Sequence, residues 1–169
     1  MKTVALAILL ATTFAVAQEN PSTHPTVYRL EYTITEMEGA KKLSSRSYSL
    51  QAEEGKSASM RVGTRVPIAV ANSPEGPQFN YIDVGVNLDV TATTLEATTI
   101  RLKTNVDITS LIAPPSTAGA SRQPQPTVRQ TKDQLTTVIP LDKPVILTTQ
   151  DDPSYTTSMQ VQVIARIVK

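Results

Sequence analysis

The fold is decided by the stretch Tyr81-Ile82-Asp83-Val84-Gly85-Val86-Asn87-Leu88-Asp89-Val90-Thr91, in which apolar and polar side chains alternate. Alternation with a period of two is typical of a β-strand that buries one face and exposes the other. A second alternating stretch, Ile100 to Ile108, follows after a short connection. We therefore predict an antiparallel hairpin whose two strands bury one shared apolar face.

The apolar phase changes near the start of this strand. Phe79 and Tyr81 occupy odd-numbered positions, whereas the apolar residues from Val84 to Val90 occupy even-numbered ones. Successive side chains of a strand point to opposite faces, so a change of phase requires a bulge or a bend. We expect it near Ile82-Asp83 or at Gly85.

The rest of the chain shows the same period, and no long segment has the spacing of an amphipathic helix. The further predicted strands are Tyr28 to Ile34, Tyr48 to Ala52, Ala58 to Val62, Val128 to Ile139, Val145 to Leu147 and Met159 to Ile167. The predicted fold class is all-β, an antiparallel β-sandwich-like single domain over residues 27–169. Within it the second and third strands are expected to continue a meander, and the last strand to be held in a sheet.

Three segments interrupt the alternation. Pro67 cannot donate a backbone hydrogen bond, so Val66 to Val70 should form an edge or a bent strand. Asn72 to Pro77 has the composition of a loop. Residues 113–126 are rich in Pro, Ser, Ala and Gln, and we expect them to form a mobile loop inside the domain.

The first 17 residues are predicted to be an export signal. Lys2 supplies a positive charge, Val4 to Val16 form a short apolar run, and Ala15-Val16-Ala17 fits a cleavage site before Gln18. Residues 18–26 should then be a flexible tail. The signal predicts a protein of the periplasm or the outer membrane, or one released from the cell.

The composition narrows the possible functions. The chain carries 16 basic and 15 acidic side chains without a long block of either sign, which gives no reason to expect nucleic acid or an anionic membrane surface as a partner. It has no cysteine, which excludes thiolate metal sites and thiol catalysis. Membrane association is therefore expected only through an oligomer or a partner protein.

Catalytic and metal-binding patterns are absent from the sequence. The only histidine, His24, lies in the predicted tail, so a histidine-based triad or a multi-histidine zinc site cannot form within one chain. Glu53-Glu54 and Asp151-Asp152 are adjacent carboxylates beside turn residues, where solvated loop positions are the rule. A calcium site that combines Asp151-Asp152 with Asp142 is the one metal hypothesis, although the spacing of a calcium loop is missing. We predict no enzyme activity, no catalytic residue and no cofactor; a carboxylate-dependent hydrolase is the remaining enzymatic alternative.

Two segments resemble the C-terminal β-domain of the secretins, the outer-membrane channels of type II and type III secretion and of type IV pili. The first is Arg61-Val62-Gly63-Thr64-Arg65-Val66-Pro67-Ile68, and the second is the stretch from Tyr81 to Thr91 quoted above. Pro126-Thr127-Val128-Arg129 is similar to a later element of the same family. The family's proline after the Val-Thr pair is replaced by Ala92, and the resemblance does not extend to the N-terminal domains of secretins.

The resemblance implies the fold of the β-domain and identifies candidate interface residues, namely Gly63, Arg65, Pro67, Gly85 and Arg129. The two glycines are better explained by backbone bends than by ligand contact. For the two arginines, one interpretation is an ion pair between strands or between protomers. The other, which the sequence favours, is an exposed charge that keeps a sheet edge from sticking.

Function is therefore expected from contact and not from catalysis. The leading hypothesis is an exported, non-enzymatic protein of the bacterial envelope that binds protein partners or its own copies through sheet edges. The alternative is a subunit or accessory of a secretin-like secretion or pilus channel.

Overall fold

The computed structural model describes residues 25–73, 76–112, 126–152 and 156–168. The predicted signal, most of the predicted tail with His24, and positions 113–125 of the predicted loop lie outside these ranges. The described part contains eight strands. It contains no helix, and therefore none that is long and apolar enough to cross a membrane. The strands are β1 Val27–Glu38, β2 Lys41–Glu53, β3 Ser57–Ser73, β4 Gly76–Glu96, β5 Thr99–Ile112, β6 Thr127–Pro140, β7 Val145–Asp151 and β8 Thr157–Val168.

The strands form two antiparallel four-stranded sheets, which confirms the predicted fold class. The first sheet has the order β2-β1-β8-β7 and the second has the order β3-β4-β5-β6. In each sheet every neighbouring pair is antiparallel. β8 lies between β1 and β7, so the prediction that the last strand is held in a sheet is also correct.

The core lies between the two sheets and is built from the inward rows of six strands. Its buried apolar residues are Tyr28, Leu30, Tyr32, Ile34, Ala52, Val86, Leu88, Val90, Ala92, Ile100, Leu102, Val106, Ile139, Val161, Val163 and Ala165. Alternate residues of each strand supply this set, as a half-buried strand requires. The predicted hairpin contributes its central members directly: Leu88 of β4 stands opposite Val106 of β5, and both are buried.

One buried polar pair links the two sheets. The Tyr32 hydroxyl donates to Thr104 Oγ1 over 2.9 Å, and both side chains are buried. Burial raises the pKa of Tyr32 to about 12, although the hydrogen bond to Thr104 acts in the opposite direction. The core thus contains a satisfied polar contact between the first sheet and the second.

The predicted meander of the second and third strands is wrong. β2 ends in the first sheet and β3 begins in the second, so the turn at residues 54–56 crosses between sheets. The turn is tied to β4 of the second sheet, because the Gly55 amide donates to the Ala92 carbonyl at 2.8 Å and the Thr94 amide donates to Glu54 Oε1 at 3.0 Å. These bonds replace the tight-hairpin bonds that a meander would need.

The predicted bulge near Ile82-Asp83 is not present in the β3–β4 pairing. The register is continuous from Ser57 opposite Thr91 to Ala69 opposite Phe79, and the irregularity lies between Ala69 and Ala71. Pairing of β4 with β5 ends at Gly85 opposite Thr109. Before Gly85, β4 pairs with β3 alone among the described strands. Residues 64–73 and 76–84 therefore form a two-stranded ribbon, which we call the β3–β4 ribbon.

Of the predicted edge segment and the predicted loop that follows it, the structure confirms the first and shortens the second. Val66 to Val70 belong to β3, which is an outer strand of the second sheet, as Pro67 indicated. The predicted loop from Asn72 to Pro77 is shorter than expected, because β3 extends to Ser73 and β4 begins at Gly76. Backbone pairing of Ser73 with Gly76 continues the ladder through residues whose composition favours a turn.

Candidate functional site

The outer strands of the sheets are the first candidate for contact with other proteins. β3 and β6 bound the second sheet with 17 and 14 residues, and each pairs with one neighbour among the described strands. An outer strand presents a row of backbone donors and acceptors on the side away from its neighbour. Both sides of the second sheet can therefore accept a further strand.

The β3–β4 ribbon adds apolar surface to this edge. Phe79 and Tyr81 leave 51% and 60% of their surface exposed, and Pro67 stands opposite Tyr81. On the other face of the ribbon, Val66 stands opposite Ile82, and both side chains are half-buried. The ribbon therefore carries apolar side chains on both faces, a pattern that indicates contact with another surface.

Gly63 and Gly85 stand directly opposite each other at the base of the ribbon. A Cβ atom on Gly85 would lie 2.1 Å from the Val62 carbonyl oxygen and 2.5 Å from Gly63 Cα, and one on Gly63 would lie 2.6 Å from the Val84 carbonyl oxygen. Gly85 also has a φ of +156°, which side-chain-bearing residues rarely adopt. The pair lets two backbones approach more closely than any other residue would permit, which supports the backbone explanation.

Arg65 makes a cross-strand ion pair with Asp83 on the ribbon. Its Nε donates to Asp83 Oδ1 at 3.0 Å, and the two side chains are 68% and 74% exposed. The hydrogen bond and the charge of Arg65 lower the pKa of the Asp83 carboxyl, and those of Asp83 raise the pKa of Arg65. Exposed pairs contribute little to stability, so Arg65 combines an interstrand pair with an exposed edge charge.

A second cross-strand pair on the same strands was not predicted. Arg61 binds both carboxylate oxygens of Asp89, at 2.7 and 2.9 Å, and Ser59 donates to the same carboxylate at 2.6 Å. The hydrogen bond from Ser59, followed by that from Arg61, lowers the pKa of Asp89. Arg61 lies within the family-like segment, but its partner becomes evident only from the strand register.

Arg129 lies in a different environment. Its three guanidinium nitrogens bond to three separate elements: Nη2 donates to Glu36 Oε1 at 2.9 Å, Nη1 to Asp152 Oδ2 at 3.0 Å, and Nε to Ser110 Oγ at 3.3 Å. The Arg129 and Asp152 side chains are only 29% and 10% exposed. Burial alone would lower the pKa of Arg129, but the hydrogen bonds to Glu36 and Asp152 outweigh it and raise that pKa. The favoured interpretation as an exposed edge charge is wrong for Arg129.

A cleft of about 400 Å³ opens beside Arg129 between the two sheets. Its lining includes Glu36, Gln150, Asp152 and Met159. Acidic, basic, amide and thioether groups are mixed in this lining, and the described residues contain no group of three His, Cys, Asp or Glu side chains that could hold a metal ion. The cleft is therefore a gap between the layers with a mixed polar and apolar lining.

The hypothetical calcium site of Asp142 with Asp151-Asp152 is not assembled. The Asp142 amide donates to the Ala165 carbonyl, whereas the Asp152 amide donates to the Thr157 carbonyl. Ala165 and Thr157 are eight positions apart on β8, a separation of about 26 Å along a strand. Asp142 and Asp152 therefore lie at opposite ends of the first sheet.

The paired glutamates Glu53 and Glu54 have structural partners. Glu53 pairs with Lys56 at 2.6 Å, and Glu54 accepts from the Thr94 amide. The hydrogen bonds with Thr94 lower the pKa of Glu54. A carboxylate held in its charged form at a turn has no feature of a general acid.

The structure brings four of the five candidate interface residues together. Gly63, Arg65, Pro67 and Gly85 lie within a few residues of one another on β3 and β4, whereas Arg129 lies on β6. The first four thus form one feature, the base of the β3–β4 ribbon, and Arg129 forms another.

Comparison with known proteins agrees with this architecture. Residues 36–148 match the family model described as secretin, bacterial type II and III secretion system protein. No curated protein matches the chain.

Several solved secretins share the fold at low sequence identity. The type II secretion system secretin XcpQ from Pseudomonas aeruginosa aligns with a TM-score of 0.56 at 12% identity over 85% of this chain and 59% of its own. The type II secretin GspD from enteropathogenic Escherichia coli aligns with a TM-score of 0.57 at 9% identity over 86% of this chain and 70% of its own.

The type IV competence pilus secretin PilQ from Vibrio cholerae aligns with a TM-score of 0.54 at 8% identity over 86% of this chain and 61% of its own. The chain thus spans only 59% and 61% of the length of XcpQ and PilQ. The structural likeness concerns the fold, and the family match runs from the end of β1 into β7, so it includes the ribbon but neither β8 nor most of β1. This chain belongs to the secretin family.

Proposed function

We propose that the chain is a non-enzymatic component of a secretin-type secretion or pilus channel in the bacterial envelope. The observation that carries the proposal is the β3–β4 ribbon, whose outer edge pairs with no other described strand and which has apolar side chains on both faces. Exposed apolar surface beside an open strand edge is unfavourable for an isolated protein in water. Association with a further protein surface removes both costs.

The arrangement of edges supports self-association as the mode of contact. β3 and β6 lie on opposite sides of the same sheet, so β6 of one copy can pair with β3 of the next. Such a contact joins two different surfaces, and it generates a ring when the rotation between copies closes. The family membership supports a ring over an open fibre.

The same proposal places the chain in the envelope. The predicted export signal at residues 1–17 leads to the periplasmic side, and the proposed channel role places the assembled protein at the outer membrane. Contact with the membrane would then come from the assembly and its partners.

A second candidate is a monomeric module that captures one partner by strand addition. The closed core favours it, since the apolar rows of both sheets already bury one another within a single chain. In this case β3 would accept a strand of a partner protein, and no ring would form.

The test is the mass of the chain that begins at Gln18, measured by light scattering in mild detergent, together with dye release from liposomes. We expect a defined oligomer that releases dye. The double variant Phe79→Ser, Tyr81→Ser should reduce both signals, because it removes exposed apolar surface from the ribbon.

The matched control is Ile146→Ser, which removes a 55% exposed apolar side chain from β7 of the other sheet. It should leave both signals unchanged. A stable monomer that releases no dye would overturn the channel proposal and favour the second candidate. Equal effects of the ribbon and β7 variants would also overturn it, because the ribbon would then have no special part in the contact.

A further inference from the structure

We propose that Arg129 is an ionic latch that holds the far half of the β5–β6 hairpin against the first sheet. The far half consists of residues 110–112 and 127–129, and we call it the distal hairpin. The inference concerns an element outside the β3–β4 ribbon and does not depend on the proposed function.

The distal hairpin does not pair with β4. β4 pairs with β5 only as far as Gly85 opposite Thr109, whereas β5 and β6 continue to pair from Ser110 opposite Arg129 to Ile112 opposite Thr127. Beyond Thr109 the β4 ladder therefore no longer positions the hairpin. Contacts with the opposite layer therefore become the main restraint on it besides the β5–β6 ladder itself.

Polar side chains of both sheets enter the gap between the layers at this end. The inward row of β6 begins apolar at the buried Ile139 and becomes polar at Asp133 and Arg129. On β1 the inward row passes from Ile34 to Glu36. Apolar packing therefore holds the sheets together at one end, and at the other end polar contacts are added beside apolar residues such as Met159.

Arg129 supplies the strongest of these polar contacts. Each arm of its planar guanidinium reaches a different element, with Glu36 on β1, Asp152 after β7, and Ser110 on β5. Charge-assisted bonds from a rigid fork are stronger and more directional than those of a lysine ammonium. One side chain thus connects the distal hairpin to two elements of the first sheet, β1 and the segment that follows β7.

The charges around Arg129 make its removal costly at this point. Glu36 and Asp152 face it from the first sheet, and Asp133 lies deeper on β6 in a hydrogen bond with Gln150. The other basic residue nearby, Lys132, faces the opposite side of the second sheet and pairs with Asp107 at 3.4 Å. Without Arg129 the carboxylates would lose this cation and the distal hairpin its bonds to the first sheet.

The experiment is hydrogen–deuterium exchange followed by mass spectrometry on the chain that begins at Gln18. Arg129→Met keeps the length and apolar volume of the side chain and removes its charge. We expect exchange of the amides in residues 107–112 and 127–132 to accelerate roughly ten- to a hundredfold, the equivalent of one or two charge-assisted hydrogen bonds. Peptides that contain Leu88 and Leu102 should keep their protection.

Three further variants make the test specific. Arg65→Met removes the exposed ion pair of the ribbon and should leave the distal hairpin unchanged. Arg129→Lys keeps the charge without the fork, so it should give an intermediate rate. The exchanged pair Arg129→Glu with Glu36→Arg should restore part of the protection, because it rebuilds one bond with reversed polarity.

Unchanged exchange in Arg129→Met would overturn the latch, and so would equal acceleration along the whole chain, which would indicate a general loss of stability. If Arg129→Met does not fold, Glu36→Gln weakens one arm only and should accelerate exchange of the distal hairpin several-fold. No acceleration in Glu36→Gln would then also overturn the proposal.

Discussion

Gly85 is the position where a single methyl group should test the geometry of the ribbon most directly. An added Cβ would lie 2.1 Å from the Val62 carbonyl oxygen, against ordinary contact distances of 3.4 to 4 Å. All the nearest atoms are backbone, and Gly63 Cα at 2.5 Å leaves no side chain that could rotate away. Gly85→Ala therefore requires β3 and β4 to separate by more than 1 Å at the base of the ribbon.

Two costs combine in this variant. A side-chain-bearing residue in the backbone region that Gly85 occupies costs about 1–3 kcal/mol. Overpacking against a fixed neighbour costs about 1–3 kcal/mol more. The free energy of unfolding should fall by about 2–6 kcal/mol, a large part of the stability of an ordinary domain.

Urea titration followed by circular dichroism measures the change, with Gly55→Ala as the matched control. Gly55 also has a positive φ, of +74°, but an added Cβ there would meet no atom within 4 Å. The control should lose only the backbone cost of about 1–2 kcal/mol. A loss below about 1 kcal/mol in Gly85→Ala, or one equal to that of the control, would refute the argument from close approach.

Two further predictions concern the core. Leu88→Ala should reduce the free energy of unfolding by about 2–5 kcal/mol, because Leu88 is fully buried. Leu43→Ala, at a position that is 44% exposed, should change it by less than about 0.5 kcal/mol in the same titration. Similar losses in the two variants would contradict the assigned faces. The pKa of Tyr32 is raised from 10.0 to about 12, so the folded state binds the proton more tightly and stability should fall between pH 10 and pH 12 by about 2 kcal/mol. Tyr32→Phe should lack this decline when unfolding is followed across that pH window, and an identical decline in both proteins would show that other groups cause it.

The sequence was sufficient to identify the strands and their buried faces. Val86, Leu88 and Val90 are buried as their alternation indicated, and so are Ile100 and Leu102 across the hairpin. This success has a simple cause, since the direction of a side chain from a strand depends on local parity and on nothing farther away. Pro67 correctly indicated an outer strand for an equally local reason, since proline has no backbone donor for a second neighbour.

Sheet order was not accessible in the same way. The turn at Glu54-Gly55 has the composition of any tight turn, and nothing local distinguishes a hairpin from a crossing between sheets. The distinction lies in hydrogen bonds to Ala92 and Thr94, about 40 residues away in sequence. Contacts of that range depend on the complete arrangement of strands, so no short sequence window contains them.

The two arginines show the same limit at the candidate site. Arg65 and Arg129 both lie in alternating strands, and from their neighbours alone both fit an exposed edge charge. Arg65 finds its partner 18 residues away on the adjacent strand, which keeps the pair exposed, whereas Arg129 reaches Glu36 across 93 residues and across the gap between sheets. A charge at the inward face of an edge strand is costly unless a carboxylate is placed opposite. The sandwich places two carboxylates, Glu36 and Asp152, opposite Arg129. For that reason Arg129 links the two layers, whereas Arg65, in the same kind of strand, remains a surface charge.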